Sequence, residues 1–263
     1  MDRRRLWRRV RRVWITAGLV ATAGFAIWSL VAYRASAEAR VALVPDAAVA
    51  VAHGDGVWSF IPRRTTRAGT TALVFFPGAL VDPVAYAPLV RAAAAAGYPA
   101  YIVELPRRGA LGGADEPVLE QRLDRLLAVP GTPRRWVIAG HSRGAVVASR
   151  IAAERRRGFM GLVLIGSSHP RDVDLSTLAV SVTKVVGTRD GLATRTAVEA
   201  NRAKLPAAAR WVWIEGGNHS QFGWYGFQPG DRRATIAAVI QRATMIQAVI
   251  DALAHAAISA PPS

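Results

Sequence analysis

The sequence contains no cysteine. Disulfides, thiolate zinc sites and a cysteine nucleophile are therefore excluded. That absence does not fix a compartment, but it is compatible with life outside the cytosol. Acidic residues are also scarce, with 18 Asp and Glu against 34 Lys and Arg, for a formal net charge of +16. No internal repeat and no recognisable nucleic-acid module accompanies this charge, so no nucleic-acid partner is expected. The pair Arg134-Arg135 and the run Glu154-Arg155-Arg156-Arg157 read as solvated faces.

Charge of either sign is missing from residues 13–33. An apolar run of about 20 residues is long enough to cross a bilayer as a helix. A cleavable signal has an apolar core of only about 7–15 residues, which favours a retained anchor. Residues 1–12 hold seven arginines against Asp2 alone, a bias that keeps this end cytoplasmic and sends the rest across the membrane. Trp14, Trp28 and Tyr33 stand near the ends of the span, as interfacial aromatics do. The rival reading is secretion after signal cleavage near Ala37, because Ala35-Ser36-Ala37 resembles a small-residue cleavage site. The resulting division is a basic cytoplasmic segment (1–12), a transmembrane helix (13–33), a linker or juxtamembrane helix (34–46), a catalytic-size domain (47–258) and a tail (259–263).

With 263 residues, 51% of them hydrophobic, the chain can bury one sizeable core. Residues 49–52 and 57–61, around His53-Gly54-Asp55-Gly56, predict a hairpin. Apolar runs at 71–76, 100–103, 136–139, 161–166, 182–187 and 211–214 predict strands. Helical stretches are predicted at 83–96, 116–129, from Ser142 onward, and at 234–254. Strand alternating with helix predicts an α/β fold with a mostly parallel sheet covered on both faces.

The most informative pentapeptide is Gly140-His141-Ser142-Arg143-Gly144, set between an apolar strand and an amphipathic helix. In that context G-x-S-x-G presents a serine on a sharp strand-to-helix turn. A serine hydroxyl needs a base, and the base needs an orienting acid. Asp190 and His219 each follow a strand, in the chain order Ser, acid, His. Glu215, Asp172 and Asp174 are rival acids, and His169 is a candidate pocket residue. The oxyanion needs two amide donors. The N–H of Arg143 is one, and the loop Pro77-Gly78-Ala79-Leu80 offers Ala79 as the other, with Leu80 next. The Arg143 side chain either steers an anionic substrate or makes a surface ion pair. The aromatics of Phe222-Gly223-Trp224-Tyr225-Gly226-Phe227 either wall the site or pack in the core.

At these residues the chain resembles the α/β-hydrolase superfamily, and within it a compact branch similar to dienelactone-hydrolase-type and carboxylesterase-type enzymes. The matching stretches are Phe76-Pro77-Gly78-Ala79-Leu80-Val81-Asp82-Pro83 with Tyr86-Ala87-Pro88-Leu89, then Gly140 to Gly144, then Gly187-Thr188-Arg189-Asp190-Gly191-Leu192. Gly216-Gly217-Asn218-His219-Ser220-Gln221-Phe222-Gly223, continued through Gln228-Pro229-Gly230-Asp231, completes the set. The resemblance covers about residues 70–245. It implies an α/β-hydrolase fold with Ser142 as nucleophile, Asp190 as acid and His219 as base, and no metal or organic cofactor. The branch usually has glycine where Ala79 stands, and an apolar residue where Arg143 stands. The stretch 167–181 is too short for a helical cap, so the site is expected to be open. The expected activity is carboxylic ester hydrolysis through an acyl-serine, on a small-molecule or lipid-like ester. Acyl transfer or thioester cleavage on the same triad, or a non-catalytic binding protein on this fold, are the alternatives. The sequence leaves the oligomeric state open.

Overall fold

The structure is a computed structural model and describes residues 3–64, 70–131, 133–154 and 159–259. Arg155, Arg156 and Arg157 of the basic run, and residues 260–263 of the tail, lie outside the described residues. Eight strands form one sheet in the order β1-β2-β4-β3-β5-β6-β7-β8. The strands are β1 (Val49–Gly54), β2 (Val57–Pro62), β3 (Thr71–Phe76), β4 (Ala100–Val103), β5 (Arg135–His141), β6 (Phe159–Ile165), β7 (Ser181–Gly187) and β8 (Arg210–Ile214). β1 and β2 are the expected antiparallel hairpin, and β2 joins β4 antiparallel. Every pairing from β4 to β8 is parallel.

The near-continuous apolar runs arise because this parallel part is covered on both faces. All six residues of β3 are buried, and their side chains divide by period two. Leu73 and Phe75 join the core under α3 (Ala87–Ala95) and α7 (Ala238–Ile258). Ala72, Val74 and Phe76 join the core under α4 (Pro117–Ala128) and α5 (Arg143–Glu154). Residues 166–180, between β6 and β7, contain no helix, so no helical cap is inserted at that crossover.

Two boundaries differ from expectation. The predicted helix at 83–96 opens as a 3-10 turn, Pro83–Tyr86, whose first amides are capped by Asp82 before α3 begins. The last helix starts at Ala238, not at residue 234: residues 235–236 form a bend, with Thr235 N donating to Gly216 O (2.9 Å), and Ala237 has an extended backbone (φ −65°, ψ 143°).

At the other end, α1 (Arg3–Ala32) is the one described helix long and apolar enough to cross a membrane, with a mean hydropathy of 1.3 over its apolar window. A signal sequence passes the same test of length and composition. The segment expected to be a linker or juxtamembrane helix contains a short helix and is docked on the domain. α2 (Ala37–Val41) is capped by Ser36, and Ala35, Ala39 and Ala42 are buried in the α3/α7 core. Tyr33, expected at a membrane interface, is only 4% exposed and meets Tyr225 edge-to-face with ring centroids 6.0 Å apart.

Candidate active site

The elbow forms because β5 must turn straight into α5. Ser142 takes a left-handed backbone (φ 53°), unusual for a residue with a side chain, and its amide is held by Ile165 O at 3.0 Å. The flanking glycines are there for contact distance. A Cβ on Gly140 would lie 2.2 Å from Gly144 C, and one on Gly144 would lie 1.9 Å from Phe76 O. The end of β5, the start of α5 and the end of β3 thus touch backbone to backbone.

Asp190 and His219, from the loops after β7 and β8, are both about 1% exposed. Asp190 Oδ2 lies 2.8 Å from His219 Nδ1. Its Oδ1 accepts the amides of Leu192 (2.8 Å) and Ala193 (2.6 Å), which fixes the carboxylate plane. The other imidazole nitrogen, His219 Nε2, is buried without a hydrogen-bond partner among the described residues. Ser142 and His219 line the same cleft of about 210 Å³, together with Ala79, Arg143 and His169. The fold therefore brings Ser142, Asp190 and His219 together.

The rival acids are elsewhere engaged. Glu215 is exposed and accepts from Thr188 Oγ1, Asp174 accepts the Ser176 amide, and Asp172 is largely exposed beside His169 Nε2 (3.6 Å). Arg189 does not pair with Asp190; its Nε donates to Arg233 O. Leu80 is removed as an oxyanion donor, because its N–H already binds Arg108 O at 2.7 Å. Ala79 lines the cleft, and Arg143 is the first residue of α5, where helical geometry leaves the N–H without an intrahelical acceptor. Phe222 and Trp224 of the aromatic stretch are buried in the core and Tyr225 packs against it, while Phe227 is exposed; none of the four lines the cleft.

Three supporting residues were not assigned a role from sequence. Asp231 ties the two catalytic-side loops together: Oδ1 accepts from Gly191 N (3.0 Å) and His219 N (3.2 Å), and Oδ2 accepts from Ser220 N and Oγ. Tyr86 Oη accepts the Gly78 amide at 3.2 Å and lies 2.8 Å from His141 Nδ1. Burial pushes the Tyr86 hydroxyl up, so it keeps its proton. Burial, with His219 adjacent, holds His141 well below the usual histidine range, so it stays neutral. Nothing marks these contacts in the sequence beyond membership of the matched motifs.

A family model described as "Alpha/beta hydrolase family" matches residues 72–243. The chain belongs to the alpha/beta hydrolase family. The same fold is seen in TT1662 from Thermus thermophilus, 18% identical with a TM-score of 0.56, covering 81% of this hydrolase and 99% of that chain. It is seen in a ferulic acid esterase from Streptomyces cinnamoneus, 19% identical with a TM-score of 0.54, covering 75% and 81%. A candidate dienelactone hydrolase from Klebsiella pneumoniae subsp. pneumoniae is 17% identical with a TM-score of 0.51, covering 75% and 92%. A search of curated proteins finds no match to this hydrolase. At these identities the likeness is one of fold.

Proposed function

We propose that this alpha/beta hydrolase is a membrane-tethered serine hydrolase that cleaves carboxylic esters through an acyl-Ser142 intermediate. The observation that carries the reading is the 2.8 Å Asp190–His219 contact, with the opposite ring nitrogen unpartnered in the wall of the cleft that Ser142 lines. His219 Nε2 takes the Ser142 Oγ proton as Oγ adds to the ester carbonyl. The tetrahedral oxyanion faces the amides of Ala79 and Arg143, and Asp190 stabilises the imidazolium that forms. Collapse expels the alcohol, which takes the proton from His219. A water then gives its proton to His219, attacks the acyl carbonyl and releases the acid with Ser142 restored. Ester cleavage is also the activity named for the Streptomyces cinnamoneus neighbour.

The tether reading favours a retained anchor with the hydrolase domain outside the membrane. Asp82 N donates to Tyr33 O (2.9 Å), Gly226 N to Ala32 O (2.9 Å) and Ser36 N to Trp224 O (2.8 Å). Cleavage near Ala37 would remove all three acceptors or donors, together with buried Tyr33 and Ala35. A fluorophosphonate probe applied to the full chain in detergent should label wild type and leave Ser142→Ala unlabelled. Failure of the wild type to label removes the enzyme reading.

A further inference from the structure

Two arginines line the Ser142 cleft whose side chains have no task in the proposed chemistry. Arg143 follows the nucleophile, and Arg171 stands on the loop between β6 and β7; both side chains are exposed. Some arginines of this basic chain find carboxylates, as Arg91 does with Asp46, Arg107 with Glu116 and Arg150 with Asp115, and others bind backbone carbonyls, as Arg63, Arg122 and Arg189 do. Among the described residues, neither Arg143 nor Arg171 has a carboxylate within ion-pair distance.

The acids nearby are already committed. Asp190 holds His219 and two amides and Asp231 holds Ser220, while Asp172, largely exposed beside His169, stands outside the cleft lining. Lys184 is buried behind the cleft wall with Nζ 2.5 Å from His169 O; burial holds it down to about 7, so the fixed positive charge at the cleft is that of the two arginines. Burial first, then the Arg171 charge, hold His169 down to about 4 against the opposing pull of Asp172, so it adds a neutral ring and not a further cation. The cleft is therefore an electropositive recess against the nucleophile. At about 210 Å³ it is also small. Pockets for drug-sized ligands run to roughly 300–1,000 Å³ and are mostly apolar. The apolar side chains here are few, chiefly Val146 and Leu192, and would cover little of a long acyl chain.

We propose that the ester cleaved at Ser142 carries an anionic oxygen group, a carboxylate or phosphate, on a short arm from the scissile carbonyl, and that Arg143 and Arg171 are the specificity-determining pair that hold it. A guanidinium matches both groups through paired N–H donors, and like-signed charge around a cleft raises the local concentration of an oppositely charged substrate. The inference rests on the serine-hydrolase reading.

The test uses two matched substrate pairs on the full chain in detergent. 4-Nitrophenyl hemisuccinate against 4-nitrophenyl butyrate places the anion on the acyl side. Acetylated glycerol 3-phosphate against monoacetylglycerol, followed by pH-stat, places it on the alcohol side. Wild type should favour the anionic member of at least one pair by tenfold or more in kcat/KM, and the preference should shrink as salt is raised. Arg171→Gln and Arg143→Gln should each reduce that ratio at least fivefold, mainly through KM, with Arg171→Lys retaining part of it. Because the readout is a ratio on one enzyme, a general loss of activity or folding cancels. Equal cleavage of charged and neutral esters, or a preference that survives both substitutions, overturns this inference while leaving the hydrolase intact. No cleavage of any ester, with no fluorophosphonate labelling, overturns both.

Discussion

Gly144→Ala is a one-carbon change whose consequences can be worked from the backbone. The added Cβ would stand 1.9 Å from Phe76 O, 2.5 Å from Phe76 C and 2.6 Å from Pro77 O. Ordinary carbon contacts are about 3.5–4.0 Å, so relief needs a displacement of more than about 1 Å. No flexible side chain can absorb it, because every atom in the way belongs to the main chain. α5 must move from the end of β3, or the turn after β3 must move from α5. The first carries Ser142 and the Arg143 amide, and the second carries the Ala79 amide. Overpacking of a tight core costs about 1–3 kcal/mol. A misplacement of about 1 Å can cost about a hundredfold in rate. Gly144→Ala should therefore lower the urea midpoint, and cut the rate of fluorophosphonate labelling by about a hundredfold even at denaturant-free equilibrium. Gly54→Ala is the control, since a Cβ there meets nothing within 4 Å, and both properties should stay near wild type. A Gly144→Ala protein with wild-type stability and labelling would refute the reasoning.

Other predictions follow from the site's supports. Asp190→Asn should lower ester turnover by about 10²–10⁴-fold through loss of the imidazolium partner, whereas Asp172→Asn should leave it near wild type; steady-state kinetics on a short ester separates the two. Tyr86→Phe strands the Gly78 amide and His141 Nδ1, both buried, at about 1–3 kcal/mol each; a lower urea midpoint and a kcat that falls more than KM changes are expected. Lys184 is held down to about 7 by burial, against the opposing pull of the Asp190 carboxylate. Between that value and the unfolded lysine range the unfolded chain keeps a proton that the native chain has lost, so this group makes stability rise as pH increases from about 7 towards 10, by on the order of a few kcal/mol. Urea unfolding at pH 7 and 9.5 should show that rise in wild type, and a flatter response in Lys184→Met.

The parts of this architecture legible in the sequence are those set by local pattern. β3 and β5 read as buried strands because both faces are covered, and the elbow was visible because two glycines flank a serine between a strand and a helix. Asp190 and His219 could be placed because each lies just past a strand, where loops of a parallel sheet converge. What stayed hidden depends on partners far away in the chain. The Leu80 amide is lost to Arg108 O, and the residues before α7 are tied to the β8 loop through the Thr235–Gly216 bond. Tyr86 and His141 are 55 residues apart, and the clamp at Asp231 joins two separate loops. Residues 34–46, alanine-rich with mixed charge, carry no pattern strong enough to show that Ala35, Ala39 and Ala42 would pack on α3 and α7.

The central claim is that Ser142 carries the acyl group in turnover. Intact-mass spectrometry of the full chain, quenched in the first turnover of a short 4-nitrophenyl ester, measures this directly. The account predicts a mass gain of one acyl group, mapped by peptide analysis to Ser142, appearing with the burst of nitrophenol and absent from Ser142→Ala. Turnover without any adduct, or an adduct and turnover that persist in Ser142→Ala, would contradict it.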